Sequence, residues 1–594
     1  MNSETKNTSA SSVRACQNCK KDFVIEPDDF SFYEKMKVPA PTFCPICRFE
    51  RRAAFRNERK LFKNKDAFTG ENIFSLFPPE SKRKVVTEEE WHGDSWDSLD
   101  YGRDIDWSRP FLAQILELEK EVPIYNLNSE LMVNSPYSAN ATGLKNCYLL
   151  FNSNYSENCF YGNGVDYSKD CCDNSHIKNS EKCYECFWLR NCYQCCGTIM
   201  SVDCRNMYFS RDCLGCNDCF GCVNLRKSSY CIFNKKLTKE EYKKTLDEMH
   251  LDTIAGFNQA RQKARDFWKT QINKNHQGVQ NLNSTGSYVT NSKNVTESYL
   301  IRESENLKYC QIMQMPVNKD CYDCTIWGYN TELSCETCIS GENSYNLKFC
   351  FNCWPSCRDS EYCMNIFSCS DCFGCVGVKK AQYCILNKQY TKEEYIELVR
   401  KIKKHMEDMP YLDKKGNTYR YGEFFPIEFS PFGYNNSLAI QHFDMNKEKA
   451  ESFGYSWIEV EKGNYNITLD SANLPELIDD AKENILNEII KCEKCQSAYR
   501  ILRDEFSFYK NEKIPLPALC SECRHERRIK DRLGVRLYNY QCMCAGDKDD
   551  TGKYQNTILH NHGHAHCSNN FKTGFDPELG NIVYCESCYN SEVA

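Results

Sequence analysis

The chain has 594 residues, enough for several domains that each bury their own core. Its net charge of −7 excludes a protein that is basic overall, so any nucleic-acid site has to be local. The unusual feature is the number of cysteines, 41. No segment of the sequence resembles a signal peptide or a membrane span, so an oxidising compartment is not indicated. We therefore expect a cytoplasmic protein without a membrane partner, whose cysteines stay reduced or bind metal. A disulfide-stapled secreted protein is the alternative.

The N-terminal region predicts a zinc module behind a short tail. Residues 1–14 are rich in Ser and Thr, and we expect them to be disordered. Segment 15–65 contains the pattern C-x2-C-x24-C-x2-C, and two such cysteine pairs can supply four thiolates to a tetrahedral structural zinc ion. We predict a zinc-ribbon or treble-clef-like module with the ligands Cys16, Cys19, Cys44 and Cys47.

The second cysteine pair leads into the segment CPICRFERRAAFRNERKLFKNK, for which we predict a basic helix. Its arginines recur at three- and four-residue steps and would share one face. The functional interpretation is a surface that contacts the phosphates of RNA or DNA. Alternatively, the arginines compensate the charge of a zinc–thiolate site, or they form a solvated face. The candidate nucleic-acid-binding residues are Arg48, Arg51, Arg52, Arg56 and Arg59.

Residues 66–139 predict a hairpin and a connector without metal ligands. The stretch SLFPPESKRKVVTEEEW (75–91) aligns with TGFDPELGNIVYCESCY (573–589) near the other end of the chain. In this alignment Thr87 and Glu90 occupy the places of Cys585 and Cys588. We therefore expect the N-terminal copy to keep the hairpin and to lack the metal.

Two central blocks, 140–237 and 285–390, are rich in recurring cysteines. In the first block the cysteines recur at steps of 9 or 12, with Ser, Asn and Asp between them. Short repeats of this kind predict a parallel β-helix in which cysteine packs as a small hydrophobe. We expect one coil to contain two steps of 12, that is, 24 residues. No catalytic constellation stands out, so we expect no enzymatic activity and no small-molecule substrate.

Metal binding within these blocks is the competing interpretation. The run CLGCNDCFGC (213–222) resembles a ferredoxin motif, but its last gap is one residue short and the proline is missing, which disfavours an iron–sulfur cluster. Zinc knuckles stay open as an alternative. The candidate sets are Cys183/Cys186 with Cys192/Cys195, and Cys321/Cys324 with Cys335/Cys338.

Helical segments follow both blocks. We predict a helical insertion at 238–284 and a helix at 391–412, because Thr238 with Glu241 and Thr391 with Glu394 have the spacing of capping boxes. Residues 413–491 predict a loop-rich connector with a short helix around 446–453.

Residues 492–540 repeat the N-terminal module, with the same C-x2-C-x24-C-x2-C pattern and a trailing ERR. We predict a second zinc site from Cys492, Cys495, Cys520 and Cys523. The basic set after it is weaker and consists of Arg524, Arg527 and Arg528.

The last segment, 541–594, predicts a third metal site. Four histidines alternate from 560 to 566, and an extended strand would point all of them to one side. Beyond Cys585 and Cys588, the sequence leaves the choice open among Cys542, Cys544, Cys567 and the histidines. No general base is marked, which favours a structural site. The candidate ligands are Cys544, His564, Cys567, Cys585 and Cys588.

Several longer motifs carry a family resemblance. They are FSFYEKMKVPAPTFCPICRFERR, EWHGDSWDSLDYGRDIDWSRPF, CILNKQYTKEEY and SPFGYNNSLAIQHF. With them, most of residues 15–594 resembles a family of uncharacterised cysteine-rich zinc-ribbon proteins from candidate-phyla-radiation (Patescibacteria) bacteria. The resemblance implies zinc binding and a bacterial cytoplasmic protein, and it brings no established activity. In that family the hairpin near 66 often carries cysteines, whereas this chain reads DAFTGENIF.

The sequence thus predicts a mainly β fold with some α: duplicated Cys-rich parallel β-helix-like (solenoid) blocks flanked by zinc-ribbon or treble-clef-like modules. The functional hypothesis is a non-enzymatic scaffold with two to three zinc ions that contacts RNA or DNA through its basic helices. One alternative is a scaffold for a protein complex that uses the β-repeat surface. The other is an iron–sulfur or metal-storage protein.

Overall fold

The computed structural model describes residues 11–459, 463, 465–546 and 554–593. It is mainly β with additional helices, and parallel β-solenoid blocks with cysteine modules at both ends of the chain confirm the predicted fold class. The described residues divide into two compact units. The described residues of the first unit lie within Met1–Leu127, His276–Glu459 and Gly534–Leu537, and those of the second within Asn128–Asn275, Val460–Leu533 and Tyr538–Ala594.

Chain order and spatial order differ in these units. The N-terminal cysteine module belongs to the same unit as the second solenoid block, and the C-terminal module to the same unit as the first block. Each unit therefore contains one solenoid and one copy of the duplicated module. No helix in the described part of the chain is long and apolar enough to cross a membrane.

The solenoid of the second unit is built from short, regular coils. Parallel pairing joins Met207 to Cys219 and Cys219 to Cys231, and a positive φ recurs at every third residue along the chain. One coil therefore corresponds to a single step of 12 and has four sides of three residues, and the expected coil of two such steps is wrong. The block begins at Ser129, earlier than the predicted residue 140. Its strands are Ser129–Glu130, Ala141–Thr142, Asn163–Asp166, Ser175–Lys178, Phe187–Arg190, Tyr193–Cys196, Ile199–Val202, Arg205–Tyr208, Asn217–Phe220, Ser229–Ile232 and Lys235–Lys236.

Small side chains that can form hydrogen bonds fill the inside of this solenoid. The Cys147 thiol donates to the carbonyl of Lys145 in its own coil and to that of Ser156 in the next, both at 3.4 Å. The Ser156 hydroxyl contacts the carbonyls of Asn154 and Val165 at 3.2 and 2.9 Å in the same way. Cysteine and serine therefore replace each other inside the coil, because both are small and both reach the same acceptors.

Asparagine and aspartate mark the corners of the coils. Asn134, Asn146, Asn158 and Asp170 follow one another at one position per coil, and each amide donates to the next side chain at 2.8–3.3 Å. All four have a positive φ, which these residue types tolerate better than most. The Asn- and Asp-rich turns noticed in the sequence are thus the corner positions of the coil.

The solenoid of the first unit is less regular, since the offset between paired residues varies from coil to coil. Cys372 pairs with Cys384, Leu347 with Ser360, and Leu307 with Cys321. Its strands are Gly286–Thr290, Lys293–Thr296, Ser298–Arg302, Ser304–Lys308, Gln311–Met313, Asn318–Trp327, Thr331–Ser340, Tyr345–Lys348, Arg358–Glu361, Ser370–Phe373, Gln382–Ile385 and Lys388–Gln389.

Helices lie in the modules, after each solenoid and in the connector. Both predicted capping boxes are present, because Thr238 and Glu241 exchange hydrogen bonds, as do Thr391 and Glu394. The short connector helix is also found. The α-helices are Pro27–Met36, Pro45–Ala53, Glu88–His92, Phe111–Glu121, Lys239–Asp247, Ile254–Lys269, Lys392–Asp408, Ala439–His442, Lys447–Ser452, Arg503–Glu512, Ser521–Ile529 and Glu586–Val593.

Short strand pairs complete the modules and the connector. The antiparallel pairs are Ser12–Ala15 with Asp22–Ile25, Phe62–Lys65 with Asn72–Ser75, Tyr411–Leu412 with Thr418–Tyr419, Ile490–Lys491 with Ala498–Tyr499, and Tyr538–Gln541 with Asn570–Thr573. The parallel pairs are Val85–Val86 with Ile124–Tyr125, Ile272–Lys274 with Ile582–Tyr584, and Leu469–Asp470 with Ile490–Lys491.

Two predictions for the N-terminal region are wrong in part. Of the predicted tail, residues 1–10 lie outside the described residues, but Ser12–Ala15 is a strand whose hydrogen bonds to Asp22–Ile25 order it. The basic helix ends at Ala53, and Phe62–Lys65 is a strand of a hairpin. Arg56 and Arg59 therefore follow the helix and do not extend its face.

Candidate metal centres

The N-terminal module brings Cys16, Cys19, Cys44 and Cys47 together, as predicted. The first pair lies on the turn after strand Ser12–Ala15, and Cys44 is the N-cap of helix Pro45–Ala53. The Cys44 amide donates to Cys16 Sγ at 3.2 Å, and the sulfurs of Cys19 and Cys44 are 3.8 Å apart. A tetrahedron with Zn–S bonds of about 2.3 Å has edges of about 3.8 Å, so this geometry fits a zinc ion.

The C-terminal module repeats this arrangement with Cys492, Cys495, Cys520 and Cys523. The Cys520 amide donates to Cys492 Sγ at 3.3 Å, and the sulfurs of Cys495 and Cys520 are 3.7 Å apart. Cys520 is again an N-cap, here of helix Ser521–Ile529. The duplicated spacing in the sequence therefore corresponds to a duplicated ligand geometry.

One thiol in each of these two clusters ionises more easily than an ordinary cysteine. Hydrogen bonds from Cys44 and Cys47 lower the pKa of Cys16. Burial raises the pKa of Cys495, but hydrogen bonds from Ser497, Cys523 and Cys492 lower it overall to about 6. Metal binding can begin at such a thiolate, and the remaining thiols release protons as they become ligands.

The C-terminal segment forms two overlapping groups of ligand atoms. The first contains Cys542, Cys567, Cys585 and Cys588, all buried. Its Cys585 amide donates to Cys542 Sγ at 3.1 Å, as in the two modules. The second group contains Cys544, His560, His562 and Cys588. Cys544 and Cys567, both candidates from the sequence, thus belong to different groups.

The structure places histidines other than the predicted His564 in the second group. Among the described residues, His564 belongs to neither group, whereas His560 and His562 belong to the second. The expectation assumed an extended strand. Instead the chain turns back here, with the Gly563 amide donating to the His560 carbonyl at 2.9 Å and Gly563 at a φ of 75°. Alternation of side chains therefore does not hold in this segment.

The N-terminal hairpin has a carboxylate where the C-terminal copy has a metal ligand. Asp66 follows strand Phe62–Lys65 as Cys542 follows Tyr538–Gln541. One Asp66 oxygen accepts from the amide of Thr87 at 2.8 Å, the counterpart of the amide of Cys585 that donates to Cys542. The other accepts from Phe68 and Thr69 at 2.8 and 2.9 Å. A carboxylate thus takes over the role of the thiolate in fixing the loop.

The arginines of the N-terminal module are buried in ion pairs within the first unit. We name Pro45–Ala53 the first clamp helix. Its Arg48 and Arg52 both contact the Asp323 carboxylate of the solenoid, at 2.8 and 3.1 Å. Arg51 contacts Glu336 on the neighbouring coil at 3.0 Å. Asp323 and Glu336 occupy the same corner of adjacent coils, because the residues on either side of them pair in register.

The second unit repeats this arrangement with Ser521–Ile529, the second clamp helix. Its Arg524 and Arg528 contact the Asp173 carboxylate at 2.7 and 2.9 Å, and Arg527 contacts Glu185. Asp173 and Glu185 lie on the same corner of adjacent coils, because the residues that precede them, Cys172 and Tyr184, pair in register. The shared R-x2-RR pattern of the modules (48–52 and 524–528) therefore binds each module to its solenoid.

An exposed basic face was therefore the wrong expectation. The burial is nearly complete, as the side chains of Arg48 and Arg524 are 1 % exposed, while Arg527 at 24 % is the most open of those in the ion pairs above. Arg56 and Arg59 are also buried, at 5 % and 8 % exposure of the whole residue. The structure thus gives no support to phosphate contacts by these side chains. Chain composition could not reveal this, because the acidic partners lie far away in sequence.

Cysteines inside the solenoids have a packing role. Within the described residues, none of them belongs to a group of three or more side chains placed to hold a metal. The run CLGCNDCFGC places Cys213, Cys216, Cys219 and Cys222 at successive inward positions, three residues apart. Its C-x2-C spacing is therefore the length of one side of the coil. The set around 183–195 follows the same three-residue steps. In the set around 321–338, Cys321 and Cys324 face inward, whereas Cys335 and Cys338 pack against the N-terminal module, and the Cys338 thiol donates to the Arg52 carbonyl at 3.4 Å.

Comparison with protein-family models and with curated proteins finds no match to this chain.

Proposed function

We propose that the protein is a non-enzymatic, zinc-binding scaffold in which zinc holds the terminal modules in the shape that clamps each solenoid. The observation that supports this proposal is the set of three four-cysteine groups with the same amide-to-thiolate hydrogen bond. Four thiolates in a tetrahedron favour zinc among the common ions, with iron as the main competitor.

The proposed role of zinc follows from where the ligands lie. In each module the third and fourth cysteines begin the clamp helix, so a metal at this point fixes the position of the helix start. The arginines that neutralise the solenoid carboxylates lie one to two turns further along the same helix. Loss of zinc would release the helix and leave buried acids such as Asp173 and Asp323 without partners, at a cost of several kcal/mol each.

Metal analysis of protein purified without oxygen tests the proposal. We expect zinc, no iron and no visible absorption, and we expect a chelator to make the clamp helices sensitive to protease. Cys16→Ser together with Cys19→Ser should remove one zinc ion. Cys204→Ser is the matched control, because serine already occupies the equivalent inward position at Ser180 and Ser228, and it should retain all zinc. Stoichiometric iron, or no bound metal, would reject the proposal.

The proposal includes RNA or DNA as a partner, but the contacts would have to come from side chains other than the buried arginines of the two clamp helices. Changing Arg48, Arg51 and Arg52 to Glu would not test it, since the buried ion pairs would break and the fold would fail. The informative measurement is binding of the wild-type protein to single-stranded RNA and DNA at several salt concentrations. Absence of binding at low salt would leave a protein complex assembled on the solenoid surface as the alternative.

A further inference from the structure

The two ligand groups of the C-terminal segment contain one side chain fewer than two separate metal sites require. Two tetrahedral ions need eight ligand positions. The groups contain seven side chains, because Cys588 belongs to both. A thiolate can bridge two metal ions through its remaining lone pairs, and one bridging sulfur supplies the eighth position. The seven are Cys542, Cys544, Cys567, Cys585, Cys588, His560 and His562.

Distances in the second group match a metal site. His560 Nδ1 is 3.2 Å from Cys544 Sγ, and His562 Nε2 is 3.5 Å from Cys544 Sγ and 3.3 Å from Cys588 Sγ. A tetrahedral zinc ion with Zn–S of about 2.3 Å and Zn–N of about 2.0 Å has S–N edges of about 3.5 Å. The four ligand atoms therefore surround a volume of the right size for one ion.

An independent feature points to the same site. The Nε2 atom of His560 is 2.9 Å from a Glu592 carboxylate oxygen, and both side chains are only 1 % exposed. This carboxylate is itself fixed by the Tyr554 hydroxyl at 2.9 Å and by the Thr557 amide and hydroxyl at 3.0 and 2.8 Å. A histidine that ligates a metal through one nitrogen commonly donates from the other to a carboxylate, which sets its tautomer and orientation. Glu592 thus holds His560 with Nδ1 facing Cys544.

The Cys544 sulfur is also prepared as a ligand. The Asn556 amide donates to it at 3.0 Å, and the Tyr584 hydroxyl donates to the Asn556 side-chain oxygen at 2.6 Å. Such a second layer of hydrogen bonds orients a ligand atom towards its metal.

We propose that the C-terminal segment holds two zinc ions in a dinuclear centre, with Cys588 Sγ bridging them. One ion binds Cys542, Cys567 and Cys585, and the other binds Cys544, His560 Nδ1 and His562 Nε2. With five thiolates and two neutral imidazoles, the centre carries a net charge of about −1, less than the −2 of a single four-cysteine site. This inference rests on the proposed zinc binding and adds a fourth ion to it.

Zinc stoichiometry of the full chain separates the two proposals. Four ions per chain are expected, one for each ligand group. Three ions would overturn the dinuclear centre and leave the proposed function intact, whereas no zinc would overturn both. His560→Ala with His562→Ala should retain three ions. His566→Ala and His564→Ala are the matched controls from the same segment, outside both groups, and should retain four.

Cobalt substitution tests the bridge without any variant. Thiolate-bridged Co²⁺ ions couple antiferromagnetically, so the protein with four cobalt ions should show a low-temperature EPR signal that integrates to only the two uncoupled ions. The double histidine variant should give a signal of about three ions although it holds one cobalt fewer. A signal of four ions in the wild type would refute a bridging Cys588.

Glu592 has a positioning role that can be measured separately. Glu592→Gln should lower the affinity of the histidine-containing site for zinc about 10- to 100-fold. In a titration with a competing chelator, one of the four ions should then leave earlier, and the other three should leave as in the wild type. Unchanged release of all four ions would refute this role.

Discussion

Asp173→Asn should destabilise the second unit strongly. The carboxylate is fully buried and is shared by Arg524 and Arg528, whose side chains are 1 % and 3 % exposed. The substitution keeps the shape of the side chain but removes its charge. It therefore leaves two buried guanidinium groups near a neutral amide. Arg524 would keep one carboxylate, that of Glu505 at 3.2 Å.

The expected loss of unfolding free energy follows from the two buried arginines that lose the Asp173 carboxylate. Removing one partner of a buried ion pair costs about 3–5 kcal/mol, because the other charge stays away from water without compensation. The retained contact to Glu505 favours the lower end of this range. With a urea m-value of about 2–3 kcal/mol/M, the unfolding midpoint should fall by about 1–2 M.

Urea unfolding followed by circular dichroism and tryptophan fluorescence measures this effect, with zinc content recorded for each sample. The control is Glu526→Gln on the same clamp helix, where the ion pair with Lys494 is about half exposed and should contribute less than about 1 kcal/mol. If Asp173→Asn shifts the midpoint no more than Glu526→Gln, the clamp arginines do not depend on the solenoid carboxylates and our reasoning fails.

Further predictions follow from the same contacts. Asp323→Asn should destabilise the first unit to a similar degree. Its control is Lys35→Ala, whose half-exposed side chain pairs with Asp320, and equal unfolding midpoints of the two variants would contradict the clamp. Burial raises the pKa of Glu185, but Arg261 and Arg527 lower it overall to about 2. The ionised carboxylate should therefore stabilise the folded state by about 3 kcal/mol above pH 4.5, and this contribution should be lost as the pH falls towards 2. The gap in unfolding free energy between wild type and Glu185→Gln should therefore narrow below pH 4.5, and a constant gap would argue against the ion pair. Asp66→Asn should lower the free energy of unfolding, measured by thermal denaturation, by about 1–3 kcal/mol, because the new side-chain amide faces the Thr87 amide. Glu71→Gln at the exposed turn is its control.

The cysteine patterns show which features the local sequence predicts and which it does not. The duplicated C-x2-C-x24-C-x2-C pattern in a repeated context correctly predicted two four-cysteine clusters. The same C-x2-C spacing inside the solenoids has another cause, since inward positions recur every three residues. Cysteine steps of 9 and 12 are both multiples of three: a step of 12 stays on the same side of the coil, and a step of 9 moves to an adjacent side. The regular spacing of the cysteines was visible in the sequence, but the three-residue side of the coil that explains this spacing was not.

The C-terminal site was predicted in outline and missed in detail. The cysteines and the histidine cluster indicated a metal site, yet the sequence could not choose among the four histidines. The extended strand expected for them is replaced by a turn at 560–563. Glu592 carried no signal of its own, because its contact with His560 spans 32 residues.

From the sequence alone follow the duplication, the solenoid class, the capping boxes and the cysteine clusters, because each depends on short spacings that determine local geometry. Only the tertiary structure decides what the clamp arginines do. Arg48 and Asp323 are 275 residues apart, and no local pattern connects them. The pairing of each module with the solenoid block from the other half of the chain is likewise a matter of packing. A basic helix and a buried ion-pair clamp look the same in sequence, since their difference lies in the charges that the fold brings opposite them.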